Sequence, residues 1–366
     1  MGNSYDSSNI KILKGLEAVA KRPRMYVGNT DDGSGLHHLL WEVFSNSLDL
    51  FIINKCREIK IILHSDDSVE VVDDGEGLPI HYIEGKTFLE RVMTELHFTA
   101  TYDGHAPHTH VGGIHGVGLA VVNALSSYVD VNIYSNGEHY HQKFIKTKPE
   151  PMRKIGKTNK SGTSIHFIPN LNFFSNILKY DEKIIGNRLK ELCYLNKKLT
   201  IYFVRKNMDE DTYSCEEGLA SYLKEIEHVN NEIIAVTDEY NGIKVDFAFA
   251  WKHQKGHMQS FANNINTIDG GTHVNGLIIG LVKAIKEHRS CEFTSKHYKD
   301  KIVKNLVAII HVNIADPKFG SPTKDRLINE TVYEAVKKIV YNASMNEFSN
   351  STKFLEFFDA NINSTL

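Results

Sequence analysis

The run GGIHGVGLAVVNAL, from Gly112 to Leu125, constrains this chain more than any other segment. Gly112, Gly113, His115, Gly116 and Gly118 crowd its first seven positions, and an apolar helical pattern follows from Leu119 to Leu125. Bare glycine backbone lets N–H groups approach a bound anion closely. The free N–H groups and positive dipole end of the helix that opens there then favour phosphate. Taken alone, the loop also reads as a tight turn. Its spacing is not G-x-G-x-x-G and no Lys-Ser or Lys-Thr follows, which excludes both the dinucleotide fingerprint and the P-loop.

At 366 residues the chain has room for two ordinary domains, each with its own core. Hydrophobic content of 41% and charged content of 24% are those of a globular protein, and a net charge of −3 gives no electrostatic argument for nucleic acid or membrane. Between Leu281 and Asn305 seven Lys or Arg stand against three acids, a bias that a solvated helix face explains. Cys56, Cys193, Cys215 and Cys291 are scattered without metal-like or paired spacing, as expected of thiols in a reducing compartment. The start, MGNSYD, has no apolar core of a signal peptide, and Asp6 stands where a myristoylation motif wants Ser or Thr. No stretch approaches the ~18 apolar residues of a membrane span. A soluble, cytoplasmic protein with no membrane partner is expected.

Periodicity predicts helices at 12–20 and 34–54, strands at Glu58–His64 and Ser68–Asp73, and a helix near 87–97. A Gly/His/Pro/Thr-rich loop spans about Thr99 to Gly113. Strands near 127–135, 138–146 and 163–168, a helix at 181–195 and a strand at Lys197–Val204 complete the first half. The polar stretch Arg205–Tyr213 is the best boundary, which gives domains 1–213 and 214–366. Beyond it come a helix at 217–226, strands near 232–237, 243–251 and 258–264, and a helix after Gly271. A strand at Leu306–Asn313, a loop at Asp316–Asp325 and terminal helices follow. Helices mixed with mostly antiparallel strands make the class α+β.

Helix 34–54 has an apolar body of Leu36, Leu39, Leu40, Val43, Leu48, Phe51 and Ile52. Across it runs a polar stripe of His38, Glu42, Ser45 or Asn46, and Asp49, whose spacings of three and four place it on one face. The segment VVDDGEGLP, Val71 to Pro79, reads as a strand ending in two aspartates beside Gly75 and Gly77. A carboxylate at a strand end with bare backbone beside it suits a flat donor such as an adenine amino group.

Together EVFSN at 42–46, DDGEG at 73–77 and GGIHGVG at 112–118 resemble the GHKL ATPases. The likeness narrows through SYDSSNIKILKGLEAVAKRPRMYVG (4–28), LHHLLWEVFSNSLD (36–49), FANNINTIDGGTH (261–273) and DPKFGSPTKDRL (316–327). These runs are similar to the ATPase subunit of type IIA topoisomerases in its DNA gyrase B form, from about Asn3 to Lys337. The resemblance implies a GHKL (Bergerat-type) ATPase α/β sandwich with an N-terminal dimerisation arm (1–20), followed by a ribosomal-S5-like transducer domain.

By that resemblance Glu42 is the general base for the attacking water, with His38 one turn earlier orienting it. Asn46 is the side-chain ligand of Mg2+, a hard oxygen donor, and ATP is the nucleotide. Asp73 takes the adenine amino group, Thr163 shares a bridging water, and Gly77 lets the base lie close. The amides of Gly113, His115, Gly116, Val117 and Gly118 wrap the triphosphate. Lys324 reaches the γ-phosphate from the second domain. Tyr5 and Ile10 belong to the arm that crosses to a second copy, so nucleotide binding and homodimer formation are expected to be coupled.

Several positions depart from the family. Arg24 replaces a glycine, Leu50 a glutamate, and Glu76 and Ser135 two arginines at the rim of the adenine site on which aminocoumarin antibiotics lean. Leu50 and Glu76 stand where the family forms a salt bridge, which leaves Glu76 without its usual context. Thr101 and Thr109 fall where phosphate-side lysines are expected, and Pro322 replaces a glutamine. Each lost lysine removes a cation beside a polyanion, a weakening on the order of 1–2 kcal/mol. The EGDSA run of the family's DNA-cleavage domain does not occur, so strand cleavage by this chain alone is not expected. The leading expectation is an ATP-dependent dimer clamp, with DNA inside it and gyrase or topoisomerase subunits as partners in trans. The alternative is a gyrase B paralogue acting as decoy, regulator or inhibitor-resistance protein.

Overall fold

Alternating burial dictates the first sheet. Ile59, Ile61 and Leu63 point into the core while Glu58 and Lys60 point away, and Val69 and Val71 repeat the pattern against Glu70 and Val72. The computed structural model describes residues 15–98, 116–174, 179–229, 232–289, 296–321 and 323–350. Their contacts divide the chain into two units. The described residues up to 189, with 199–213, form one, and residues 190–198 with those from 214 onward form the other.

The first unit opens with short helices α1 (Leu16–Lys21) and α2 (Arg24–Val27), then the long α3 (Ser34–Ile52). Strands β1 (Glu58–Leu63) and β2 (Val69–Asp73) follow, then a small hairpin of β3 (Tyr82–Ile83) and β4 (Lys86–Thr87). Next come α4 (Phe88–Thr94), α5 (Gly118–Ala124), β5 (Ser126–Ser135), β6 (Glu138–Ile145), β7 (Lys148–Pro149), β8 (Arg153–Lys157) and β9 (Gly162–Pro169). Helix α6 (Glu182–Leu195), whose residues from 190 count with the second unit, and strands β10 (Thr200–Val204) and β11 (Glu210–Ser214, its last residue likewise) complete the set. The sheet runs β11-β10-β1-β2-β9-β5-β6-β7, with β8 also on β6. It is antiparallel except where β1 pairs with β10. Leu36, Leu39, Leu40, Val43, Phe44 and Leu48 of α3 are buried, each worth about 1.5–3 kcal/mol when removed from water. Helix α3 packs against β1, β2 and α5, which places its polar stripe next to the strand end that carries Asp73.

Among the segments that differ from the sequence-based expectation, two are five-residue edge strands. Glu210–Ser214, which overlaps the polar stretch read as a boundary, is an edge strand with three of its five residues exposed. Arg153–Lys157, which no apolar alternation marks, also pairs as a strand. Edge strands need only one buried face at most, so their sequences carry little hydrophobic signal.

The second unit contains α7 (Leu219–Glu227), β12 (Ile234–Tyr240), β13 (Ile243–Trp251), β14 (Met258–Ala262), β15 (Ile265–Asn266), α8 (Thr272–His288), α9 (Lys296–Lys304), β16 (Leu306–Asn313) and α10 (Glu330–Asn350). Its sheet order is β12-β13-β16-β14-β15, with β14 and β16 parallel and joined through α8 and α9, as a parallel pair requires. Helices α8 and α10 pack closely because Gly276 and Gly280 present bare backbone. A Cβ on either would lie 2.7 Å and 2.6 Å from the carbonyls of Tyr333 and Lys337. Leu277, Leu281, Val336, Ile339 and Val340 fill the core with Phe247, Phe249 and Ile310. No helix among the described residues is long and apolar enough to cross a membrane.

Candidate functional site

Helical spacing of four brings His38 and Glu42 into contact on α3, with His38 Nε2 2.9 Å from Glu42 Oε1. The neighbouring His37 has a different task. It is buried, its Nδ1 meets Gly33 O at 2.9 Å, and its Nε2 accepts the Asp181 N–H at 2.9 Å, so it ties α3 to the start of α6. One turn beyond Glu42, Asn46 donates its amide nitrogen to the Glu42 carbonyl at 2.8 Å. Its side-chain oxygen is therefore the atom left to serve as a hard metal ligand.

The second oxygen of Glu42 faces the start of α5. A Cβ on Gly118 would lie 2.1 Å from Glu42 Oε2, so glycine there lets the carboxylate keep this position where the glycine run turns into helix. Gly116 has φ +58, a left-handed conformation natural to glycine, and Val117 occupies the position before the helix. The carboxylate thus has one oxygen held by imidazole and the other aimed at the start of the glycine-loop helix.

Asp73 ends β2 and is buried. Its Oδ1 accepts the backbone N–H groups of Gly75 at 3.0 Å and Thr163 at 3.2 Å, while Oδ2 accepts the Ser47 hydroxyl at 3.0 Å. Burial pushes its carboxyl above the ordinary aspartate range, and the bonds from Gly75, Ser47 and Thr163 oppose that rise. Oδ1 is saturated, so Oδ2 keeps the lone pair that a flat donor can use. Thr163 accepts the Leu78 N–H at 3.1 Å and so fixes the exit of the glycine-bearing loop.

Around Asp73 the backbone is bare by necessity. Gly77 has φ +79, and a Cβ there would lie 2.7 Å from Tyr134 O; one on Gly162 would lie 1.8 Å from Asp73 O. Ser161 also donates to the Gly75 carbonyl. These contacts hold the loop in one shape. Glu76, expected to stand without a partner, is engaged: Lys55 Nζ lies 2.5 Å from Glu76 Oε1. The rim therefore carries an ion pair of its own, and Leu50 lies beneath the same turn, 2.9 Å from where a Gly75 Cβ would sit. Arg24 is likewise occupied, by Asp31 and by Thr30 Oγ1.

Ser47, Lys55 and Ser161 were not anticipated. Ser47 alone had a usable signal, a small polar residue on the buried side of α3 one position past Asn46. Gly113, His115, Tyr5, Ile10, Thr101, Thr109 and Pro322 lie outside the described residues.

In the second unit Lys324 sits at the tip of a hairpin, with φ +60. Gly320 N–H donates to Arg326 O at 2.9 Å and Ile328 N–H to Lys318 O at 2.9 Å, closing its two arms. A non-glycine residue in the left-handed region is held there by its surroundings, and such positions concentrate at functional sites.

Residues 31–173 match the family described as histidine kinase-, DNA gyrase B- and HSP90-like ATPase, and residues 218–360 match DNA gyrase B. The chain is 36% identical to the DNA gyrase B protein of Halalkalibacterium halodurans over 89% of its own length and 53% of that protein. It is also 36% identical to the gyrase B protein of Archaeoglobus fulgidus, over 92% and 55%. It thus spans about half the length of these curated relatives. Among solved structures, the topoisomerase IV ATP-binding domain of Francisella tularensis, in complex with a small-molecule inhibitor, superposes with a TM-score of 0.79 at 30% identity, covering 93% of both chains. The 43K ATPase domain of Thermus thermophilus gyrase B, in complex with an aminocoumarin, gives 0.80 at 27%, covering 93% of this chain and 92% of that one. The fold is the GHKL ATPase domain followed by the gyrase B transducer domain.

Proposed function

The chain belongs to the ATPase-subunit family of type IIA DNA topoisomerases, in its gyrase B form, and from that premise we propose that it binds ATP with Mg2+, closes as a homodimer clamp and hydrolyses the nucleotide. The observation that carries this reading is the divided Glu42 carboxylate: Oε1 is 2.9 Å from His38, and Oε2 faces the glycine start of α5. His38 donates to Oε1 and fixes the carboxylate plane, and Oε2 takes the proton of a water approaching the phosphate. Asp73 Oδ2 accepts from the adenine amino group, and Thr163 holds the bridging water beside it. The amides of Gly113, His115, Gly116, Val117 and Gly118 enclose the phosphates, and Lys324 supplies a cation to the terminal one. Asn46 would hold Mg2+ through its oxygen; the bound ion neutralises phosphate charge and orients the phosphates. DNA inside the clamp, with cleavage supplied in trans by gyrase or topoisomerase subunits, completes the proposal. The domain assignment that goes with it is 1–213 for the ATPase half and 214–366 for the transducer.

Nucleotide affinity is expected to depend on Asp73 in a pH-dependent way. Its folded carboxyl titrates above the usual aspartate range, so as pH falls it protonates earlier than an exposed aspartate and the adenine acceptor weakens. Asp73→Asn places an N–H2 opposite the amino group and is expected to lower affinity for an ATP analogue by about tenfold to a hundredfold, with the acid limb removed. Fluorescence or calorimetric titration between pH 5 and 8 checks both. Unchanged affinity in the variant would remove Asp73 from the adenine site.

Dimer formation is expected to need the first residues of the chain. Tyr5 and Ile10 belong to the arm that, by the family resemblance, packs against a second copy. Deleting residues 2–14 should leave a monomer in the presence of a non-hydrolysable ATP analogue, read by sedimentation velocity. A dimer of unchanged affinity would refute the arm's role.

A second reading, an inhibitor-resistance, decoy or regulatory paralogue, is favoured by one observation. Glu76 at the rim is paired with Lys55, which points to a rebuilt rim rather than an eroded one.

A further inference from the structure

The Lys324 hairpin is stitched to the loop that precedes α8. Asp269 N–H donates to Asp325 O at 2.9 Å, Leu327 N–H to Gly270 O at 3.1 Å, and Thr272 N–H to Leu327 O at 3.0 Å. The first amide of α8 is therefore used by the hairpin. Gly271, at φ +141, allows this approach, because a Cβ there would lie 2.2 Å from Leu327 O. The position of Lys324 is thus inherited from the segment Thr267–Gly271.

That segment is fixed by a buried polar knot. Thr267 N–H and Oγ1 both donate to Ser260 O, at 2.8 Å and 2.9 Å, and Ser260 Oγ donates to Thr267 O at 2.9 Å. Gly270 N–H donates to the same Thr267 carbonyl at 2.8 Å and closes the turn. Thr267 Oγ1 also lies 2.7 Å from Ser260 Oγ and 3.0 Å from His273 Nε2, so the imidazole is hydrogen-bonded into the same knot of hydroxyls. His273 is fully buried and its Nδ1 has no hydrogen-bond partner, so the contact to Thr267 is the one that holds the ring. A second proton would have no acceptor, and burial holds the His273 pKa down at about 3. The ring stays neutral throughout the working range, which leaves a fixed hydrogen-bond partner rather than a titrating group.

We propose that the Thr267–His273 hydrogen bond is the positioning device that sets the register of the hairpin carrying Lys324, and so fixes where its ammonium is delivered during ATP turnover. His273 and Thr267 are positioning residues; neither touches nucleotide. The inference rests on the reading of Lys324 as the lysine that serves the terminal phosphate, and it adds to that reading the side chains that aim it.

The test uses the full chain and four substitutions, Thr267→Val, His273→Phe, His273→Gln and Lys324→Gln, with kcat and KM for ATP and the melting temperature of each. Thr267→Val keeps shape and removes only the hydroxyl, so it remains informative if His273→Phe does not fold. Losing one buried hydrogen bond that aims a reacting group is expected to lower kcat about tenfold. The expected result is that loss in Thr267→Val and His273→Phe with KM within about twofold of the parent, since the adenine contacts lie in the other unit. Glutamine can donate to Oγ1 and should restore most of the rate. Combined with Lys324→Gln, Thr267→Val should add almost nothing. Parent kcat in Thr267→Val beside an impaired Lys324→Gln overturns the inference alone. So does a loss in Thr267→Val that adds in full to that of Lys324→Gln. Parent kcat in Lys324→Gln itself overturns the reading of Lys324 beneath it, and the inference with it.

Discussion

Novobiocin is expected to bind this chain about a hundredfold or more weakly than it binds a gyrase B ATPase domain that carries both rim arginines. The family resemblance places those arginines where Glu76 and Ser135 stand. A guanidinium offers a planar, bidentate, stacking donor that a serine hydroxyl cannot imitate, and a glutamate reverses the charge. Each lost hydrogen bond to a charged group is worth about 1.5–3 kcal/mol, so two together exceed a hundredfold at the lower end. The Lys55–Glu76 pair at 2.5 Å does not compensate, because the Lys55 ammonium is already paired with Glu76 and is not a planar bidentate donor. In the proposed site ATP relies instead on Asp73, Asn46 and the glycine loop, so affinity for an ATP analogue should be retained. Calorimetric titration with both ligands checks this. A variant that joins Glu76→Arg and Ser135→Arg with Lys55→Glu, which turns the ion pair around, should recover novobiocin binding. Tight binding by the unaltered chain would show the rim changes to be without consequence.

The core elements were legible because each has a period. Strands 243–251 and 306–313 have the bounds that alternation and apolar runs predict, and α3 runs from 34 to 52 against an expected 34–54. The i, i+4 stripe likewise places His38 against Glu42, and Asn46 against the Glu42 carbonyl. What was not legible depends on residues far apart in sequence. Ser47 is 26 residues from Asp73, Lys55 is 21 from Glu76, and Ser161 is 86 from Gly75. No local pattern announces such pairings; they exist only once β2 lies beside α3 and β9. Glycines follow the same rule: the reason no side chain fits at Gly77 or Gly162 is a neighbouring strand, which no local pattern announces. The edge strands at 153–157 and 210–214 escaped because sheet pairing, rather than burial, makes them strands.

The catalytic reading concentrates on one carboxylate. General-base assistance contributes about 10²–10⁴-fold, so Glu42→Ala should abolish measurable turnover. Binding should survive, because the proposed adenine contact is at Asp73 and the proposed phosphate contacts are at the glycine loop. Glu42→Gln keeps the size and the His38 side of the contact but cannot accept a proton, and it should be as inactive. His38→Ala should lose less, since it frees the carboxylate without removing it. The most direct measurement is steady-state ATP hydrolysis by the purified chain beside Glu42→Ala, with binding of a non-hydrolysable analogue titrated on the same preparations. The account predicts slow turnover in the parent, none in the variant, and analogue affinity within a few-fold in both. Equal hydrolysis by parent and variant would contradict it.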